Sequence, residues 1–106
     1  MLPTIGRIVH YALNEWDADA INKRRADYSA TCRDNGGPPP TGHVGHVGNS
    51  VAVGDYYPAM VVRTFGEGAV VANLQVFLDG NDCYWATSRG EGDAPGTWTW
   101  PPRVTA

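Results

Sequence analysis

Apolar and polar residues alternate in the last third of the chain. Within residues 70–79, one face carries Ala72, Leu74, Val76 and Leu78, and the other carries the polar Asn73, Gln75 and Asp79. This period of two is typical of a strand with one buried face. Residues 79–82 read Asp-Gly-Asn-Asp, which tolerate positive φ, so the chain is expected to turn back into a strand over 83–87. The pattern predicts a hairpin, followed by a short strand over 97–100 with two indoles on one side.

The first half of the chain predicts one strand and then a helix. Residues 7–13 read as a strand. Asn14 followed three positions later by Asp17 is typical of a helix N-cap, and acidic residues precede basic ones along the next two turns, as the helix dipole favours. Asn-Gly-Gly and three prolines then stop the helix. We expect a helical insertion over 14–35 and a Gly/Pro/His-rich loop over 36–54.

A further strand over 57–65 precedes the hairpin, with a Gly-Glu-Gly turn between them. Four or five short strands with tight turns, interrupted once by a helix, are typical of a small closed sheet. The sequence therefore predicts a mainly β fold with one helical insertion, forming a small antiparallel barrel of the Src-homology-3-like kind. All 106 residues are expected to form one domain.

Composition and charge narrow the classes of partner. A hydrophobic content of 42% is typical of a packed globule. The net charge of −3 and a pI near 5.4 disfavour nucleic acid and anionic membranes as partners. No run approaches the ~18 apolar residues of a membrane span, and the N-terminus lacks a basic region followed by an apolar one. We expect a soluble, unsecreted protein with no membrane association.

The residues that could carry metal or acid–base chemistry do not form a recognisable motif. Cys32, His43, His46 and Cys83 are the only plausible zinc ligands, and their spacing matches no paired-ligand pattern. His10 is a candidate acid–base group, which leaves a minor nucleotide-modifying enzyme as one reading. No nucleophile elbow, HExxH motif or phosphate loop is present. We therefore predict no catalytic residue, no metal and no cofactor.

A binding surface is the stronger prediction. Arginine guanidinium groups suit phosphate or carboxylate, aromatic rings can stack on a base, and amides can read its polar edge. The competing interpretation is that the arginines lie at a solvated helix end and that at least one tryptophan fills the core. The candidate ligand-binding residues are Arg24, Arg25, His10, Tyr11, Tyr57, Asn73, Gln75, Trp85, Arg89 and Trp98.

Several segments resemble a group of short proteins encoded by actinobacterial phages and prophages. These segments read GRIVHY, INKRRAD, GDYYPA, NLQVFLDG, YWATS and PGTWTWPP. The resemblance covers most of the chain except the Gly/Pro/His-rich loop, which is expanded here. Thr99 stands where many proteins of that group have histidine between two tryptophans, so no role for that histidine transfers. The resemblance implies a phage protein made inside a bacterial host and brings no activity with it.

Three functions follow as expectations. The first is a non-enzymatic phage protein that binds a small anionic, nucleotide-like ligand and sequesters a host immune signal, acting as a homo-oligomer in the host cytoplasm. The second is a virion structural component, or an adaptor or inhibitor that binds a host protein. The third is the minor enzyme that uses His10. A binder without catalysis agrees best with arginines and aromatics in a chain that lacks a catalytic motif.

Overall fold

The structure, a computed structural model, describes residues 1–34, 36–37 and 45–103. Its elements are β1 (Ile8–Ala12), α1 (Glu15–Asp34), β2 (Tyr56–Thr64), β3 (Ala72–Phe77), β4 (Cys83–Arg89) and β5 (Trp98–Thr99). The prediction of a mainly β chain with one helix is confirmed.

The five strands form one antiparallel sheet in the order β4-β3-β2-β1-β5. Strands β2, β3 and β4 follow one another as a meander, whereas β1 lies between β2 and β5. Among the described residues no ladder joins β4 to β5, so the sheet is open and the predicted barrel is not shown. The segment after β4 does contact β5: the Trp98 amide donates to the Gly90 carbonyl at 3.0 Å, and the Gly92 amide donates to the Trp98 carbonyl at 2.9 Å.

The two faces of the sheet differ in burial, as the alternation predicts. The inner face carries the core, and α1 packs against this face. The outer face is the opposite one, and several of its large apolar side chains reach solvent. Inner-face residues that are buried are Val9, Tyr11, Ala59, Val61, Leu74, Val76, Ala86 and Trp98. Outer-face residues that are exposed include Ile8, Tyr56, Phe77 and Trp85.

Helix α1 begins with a reciprocal cap. The Asp17 amide donates to Asn14 Oδ1 at 2.8 Å, and the Asn14 amide donates to Asp17 Oδ2 at 3.1 Å, so two amides that the helix leaves unpaired are satisfied. Ala18 and Ile21, one turn further on, join the core. Across the described ranges, no helix has the length and apolar character needed to cross a membrane.

The chain that leads into β2 is fixed to the middle of α1. The side-chain amide of Asn22 donates to the Val51 carbonyl at 2.9 Å and accepts from the Val51 amide at 2.8 Å. The Asn22 side chain thereby pairs with both backbone groups of Val51, as a neighbouring strand would. Val51 is buried but lies outside any helix or strand, so its N–H and C=O groups need these partners.

Candidate functional site

Arg24 and Arg25, the arginines predicted to bind an anion, both contact the carboxylate of Asp82 in the β3–β4 turn. Arg25 donates from Nη1 and Nη2 to the two carboxylate oxygens at 2.9 and 3.0 Å, and Arg24 Nη1 donates to Oδ2 at 3.2 Å. The Arg25 side chain is 9% exposed and that of Asp82 is 5% exposed. The bidentate geometry and the burial make Arg25 part of the fold.

The charge state of Asp82 follows from this pairing. Burial acts to raise the pKa of Asp82, because it disfavours the ionised carboxylate. Hydrogen bonds and charge from Arg25, and then from Arg24, outweigh burial and hold the pKa below its ordinary value. Asp82 is therefore ionised at neutral pH, and it neutralises one of the two guanidinium charges beside it.

The segment over residues 45–49 is bound to the same turn. The Asn81 side chain accepts from the Val47 amide and donates to the Gly45 carbonyl, each at 2.9 Å. The Asn49 amide donates to the Asp79 carbonyl at 2.9 Å, and its side chain donates to Asp79 Oδ2 at 2.7 Å. The second half of the Gly/Pro/His-rich loop is thus a fixed wall beside α1.

A cleft of about 230 Å³ opens between this wall and α1. Its lining residues are Arg24, Asp27, Tyr28, Thr31, Gly45 and His46. Gly45 lies directly against the Tyr28 ring, where a Cβ would overlap the aromatic carbons. His46 Nδ1 is 3.4 Å from Asp82 Oδ2, so the imidazole lies at the same carboxylate as the arginines.

Arg24 differs from Arg25 in how much of its guanidinium is used. Among the described residues, Arg24 forms its hydrogen bonds through Nη1 alone, to Asp82 and to the Cys83 carbonyl at 3.2 and 3.1 Å. Its guanidinium also lies over the Tyr84 ring, with 5.4 Å from Cζ to the ring centroid. The Arg24 side chain is 29% exposed. Nε and Nη2 therefore remain as donors for an anion in the cleft.

Tyr11 and Arg89, two further predicted site residues, meet at Asp17 in the core. Tyr11 donates its hydroxyl to Asp17 Oδ2, and Arg89 Nη2 donates to Oδ1 at 3.0 Å. Burial, and then the Asp17 carboxylate, raise the pKa of Tyr11 above its usual range. Burial and a hydrogen bond to Asp17 also raise the pKa of Tyr84. Asp17 is fully buried, so this cluster connects α1 to the sheet within the core.

Three predicted residues lie on the outer face of the sheet, away from the arginines. His10 is on β1 opposite Pro58 and Thr99, and Gln75 on β3 is opposite Trp85 on β4. Trp85 is 60% exposed. The sheet separates these side chains from the cleft, so one small ligand cannot contact both groups.

The last three predicted residues support the fold from within. Trp98 is fully buried and its indole N–H donates to the Val70 and Arg89 carbonyls, both at 3.1 Å. Asn73 is buried and accepts from the Ser88 amide at 2.7 Å, which stabilises the irregular pairing of β3 with β4. Tyr57 packs against the core, and burial raises its pKa.

The ten predicted residues therefore do not form one site. Only Arg24 lines the cleft, while Arg25 holds its wall in place. Tyr28 and Thr31 were not predicted as lining residues, although they follow Arg24 at helical spacings of four and seven. Asp17 was predicted for the helix cap, but its pairing with Tyr11 and Arg89 in the core was not predicted.

The four residues considered as zinc ligands, and not predicted to bind zinc, are described only in part. His43 lies outside the described residues, and Cys32 and Cys83 are free thiols. Among the residues that are described, no group of three or more metal-ligating side chains occurs.

The chain was also compared with known proteins. No family model, curated protein or solved structure matches it. The function is therefore inferred from the cleft and from the chemistry of its side chains.

Proposed function

We propose that this protein binds a small anionic, nucleotide-like ligand without catalysis, and that the anionic group occupies the cleft between α1 and residues 45–49. The observation that carries the proposal is the position of Arg24. It lines the cleft, and its Nε and Nη2 donors have no partner among the described residues. A guanidinium with two adjacent free donors suits the paired oxygens of a phosphate or carboxylate.

The size of the cleft limits what it can hold. Ligand pockets for drug-sized molecules are typically about 300–1,000 Å³. A cleft of about 230 Å³ accommodates a phosphate and part of the group attached to it. The rest of a nucleotide would project towards solvent, where the Tyr28 ring is the aromatic surface that the cleft offers. We accordingly assign the stacking role to Tyr28, in place of the aromatic residues predicted from the sequence, which are Tyr11, Tyr57, Trp85 and Trp98.

The local charges also favour an anion. Arg24 and Arg25 carry two positive charges against the single carboxylate of Asp82, and His46 adds a third charge when it is protonated. Asp27, the acidic lining residue, is paired with Lys23 at 2.6 Å. The excess of positive charge lies at a partly desolvated position, where electrostatic attraction is less screened than at an open surface.

We place this binding in the setting that the sequence resemblance implies. The proposed ligand is a nucleotide-type signal of host immunity, and the phage protein would sequester it in the host cytoplasm. A barrel of the Src-homology-3-like kind remains our interpretation of the finer fold. The contacts of Gly90 and Gly92 with β5 support it, because they begin to close the gap between the two ends of the sheet.

The experiment is calorimetric titration with a panel of mono-, di- and cyclic nucleotides, and with inorganic phosphate and pyrophosphate. Arg24→Gln removes the proposed donors, and we expect it to weaken binding about tenfold or more, because a hydrogen bond to a charged group contributes about 1.5–3 kcal/mol. Arg33→Gln is the matched control. It removes the same charge from the same helix, about half a turn round the axis from Arg24.

Equal affinities for Arg24→Gln and Arg33→Gln would sink the proposal. Mass analysis of the ligand after incubation separates binding from catalysis, and a changed mass would restore the enzyme reading. If no anion binds and a host protein copurifies in stoichiometric amount, the adaptor reading replaces this one. The double variant of Arg24 and Arg25 is a poor test, because loss of Arg25 removes a buried contact of the fold.

A further inference from the structure

Within the part of the chain that the structure describes, the outer edge of β4 presents backbone groups that have no hydrogen-bond partner. The Leu78 amide donates to the Asp82 carbonyl at 3.4 Å. This bond identifies which positions of the β3–β4 pair are hydrogen-bonded to each other. In an antiparallel pair, hydrogen-bonded and non-hydrogen-bonded positions alternate. Tyr84 and Ala86 therefore bond towards β3, while Cys83, Trp85 and Thr87 direct their N–H and C=O groups away from the sheet.

The contact made by Arg24 agrees with an outward direction of the Cys83 carbonyl. Arg24 Nη1 reaches the Cys83 carbonyl from outside the sheet at 3.1 Å. Among the described residues, no hydrogen bond reaches the outward backbone groups of Trp85 or Thr87. Two N–H groups and two C=O groups are thus available in the middle of β4.

The opposite edge of the sheet, at β5, is short and covered. Strand β5 is two residues long, and the segment over 90–92 lies along it through the Gly90 and Gly92 hydrogen bonds to Trp98. Short strands and covering segments are common ways to block an edge. Strand β4 has seven residues, with no proline and no charged side chain before Arg89. Its one irregularity is near Ser88, which has a φ of 55° and ends the regular edge.

We propose that β4 pairs antiparallel with β4 of a second copy of this chain, across a two-fold axis near Ala86. In that register Trp85 of one protomer stands opposite Thr87 of the other, and the outward groups of both residues exchange four backbone hydrogen bonds. This pairing uses residues up to Ser88, whereas the contacts that begin to close the sheet towards β5 use Gly90 and Gly92, so both arrangements can be present together. The same segment meets itself, so the contact closes as a dimer and does not propagate.

The side chains on the outer face also suit a second copy. No charged residue lies between Cys83 and Ser88, so two copies of this edge approach without like-charge repulsion across the pair. Trp85 packs beside the β-branched Thr87 of the other protomer, and the two Trp85 rings lie diagonally within reach of each other, since diagonal neighbours are about 7–8 Å apart. Both rings lose solvent contact on pairing.

The strength of the dimer follows from its size. A pairing over about five residues buries less than the roughly 800 Å² per partner of a standard interface. We therefore expect a dissociation constant in the micromolar range or weaker, in which monomer and dimer exchange. Arg24 contacts the outward carbonyl of Cys83 at one end of this edge, and a pairing over residues 84–88 stops short of that contact. The two proposals are therefore tested with different variants.

Sedimentation velocity of the whole protein, from low micromolar to several hundred micromolar, tests the dimer. We expect Trp85→Lys to raise the dissociation constant about tenfold or more, because it replaces a central aromatic contact with two like charges. Trp16→Lys is the matched control, since it makes the same change at an exposed tryptophan on α1. Circular dichroism establishes that both variants remain folded.

A second variant and a second readout make the test specific. Thr87→Pro removes an outward N–H and leaves the pairing with β3 intact, so it should also give monomers. Hydrogen exchange should show the Trp85 and Thr87 amides becoming protected as concentration rises. A monomer at every concentration overturns the proposal, as does a dimer that persists in both Trp85→Lys and Thr87→Pro.

Discussion

Replacing Asp17 with asparagine removes the negative charge at the centre of the buried cluster and keeps the shape of the side chain. The Arg89 guanidinium, 24% exposed, would then lie beside a neutral group, and the Tyr11 hydroxyl would lose its charged acceptor. Removing one partner of a buried ion pair costs about 3–5 kcal/mol. The partial exposure of Arg89 places the expected loss of unfolding free energy near the lower end of that range, about 3 kcal/mol.

The assay is urea unfolding at neutral pH, followed by fluorescence and circular dichroism, together with a thermal scan. A loss of about 3 kcal/mol corresponds to a fall in melting temperature of roughly 12–24 °C for a domain near this size. Asp19→Asn is the control. It removes an exposed carboxylate from the same end of α1 and should cost about 0.3–1 kcal/mol through the helix dipole.

Combining Asp17→Asn with Arg89→Gln separates charge from packing. Because the double variant no longer buries an unpaired cation, we expect it to be more stable than the sum of the single losses implies. If Asp17→Asn costs less than about 1 kcal/mol, or if the two changes are additive, the reasoning about the buried charge is wrong.

Three further predictions concern separate parts of the fold. The pKa of Asp82 is lower in the folded protein than its value near 3.8 in the unfolded chain. Asp82 therefore stabilises the folded state above pH 3.8, and this stabilisation is lost as the pH falls towards the folded pKa. Urea unfolding from pH 6 to pH 3 should therefore show a shallower loss of stability for Asp82→Asn than for the wild type. Gly48→Ala places a Cβ 2.6 Å from Gly80 Cα and should cost about 1–3 kcal/mol, measured by the same unfolding assay; an unchanged midpoint would contradict the close packing. Burial raises the pKa of Tyr11 in the folded protein. The free energy of unfolding is therefore unaffected by ionisation of Tyr11 below its unfolded pKa near 10, and it decreases as the pH rises above that value. Ultraviolet titration should show one phenol that ionises only on alkaline unfolding, and its persistence in Tyr11→Phe would refute the assignment.

The strands were predictable because each of them is marked by a local sequence pattern. Alternation over 70–79 identified β3, and the Asp-Gly-Asn-Asp sequence located the turn, since turn residues act on their own backbone. Closure of the sheet is a different kind of property. It depends on whether the residues after Arg89 run along β5, which local alternation does not encode.

The site was harder to predict than the fold for a similar reason. Arg25 and Asp82 are 57 positions apart, and nothing near Arg25 in the sequence shows that a carboxylate will reach it. A cluster of charged residues on a helix looks unpaired in the sequence when its partners lie on a turn that is far away along the chain. The helical spacing from Arg24 to Tyr28 and Thr31 was available, and it does identify one side of the cleft.

The position of β1 between β2 and β5 has a consequence for synthesis. β1 leaves the ribosome before the other strands, but one of its two neighbours, β5, contains Trp98, which fills the core and is made after all the other strands. A nascent chain that stops before Trp98 therefore exposes the inner face that this indole covers. We expect the native core to form only after translation has passed Trp98, and the incomplete chain to depend on chaperones until then.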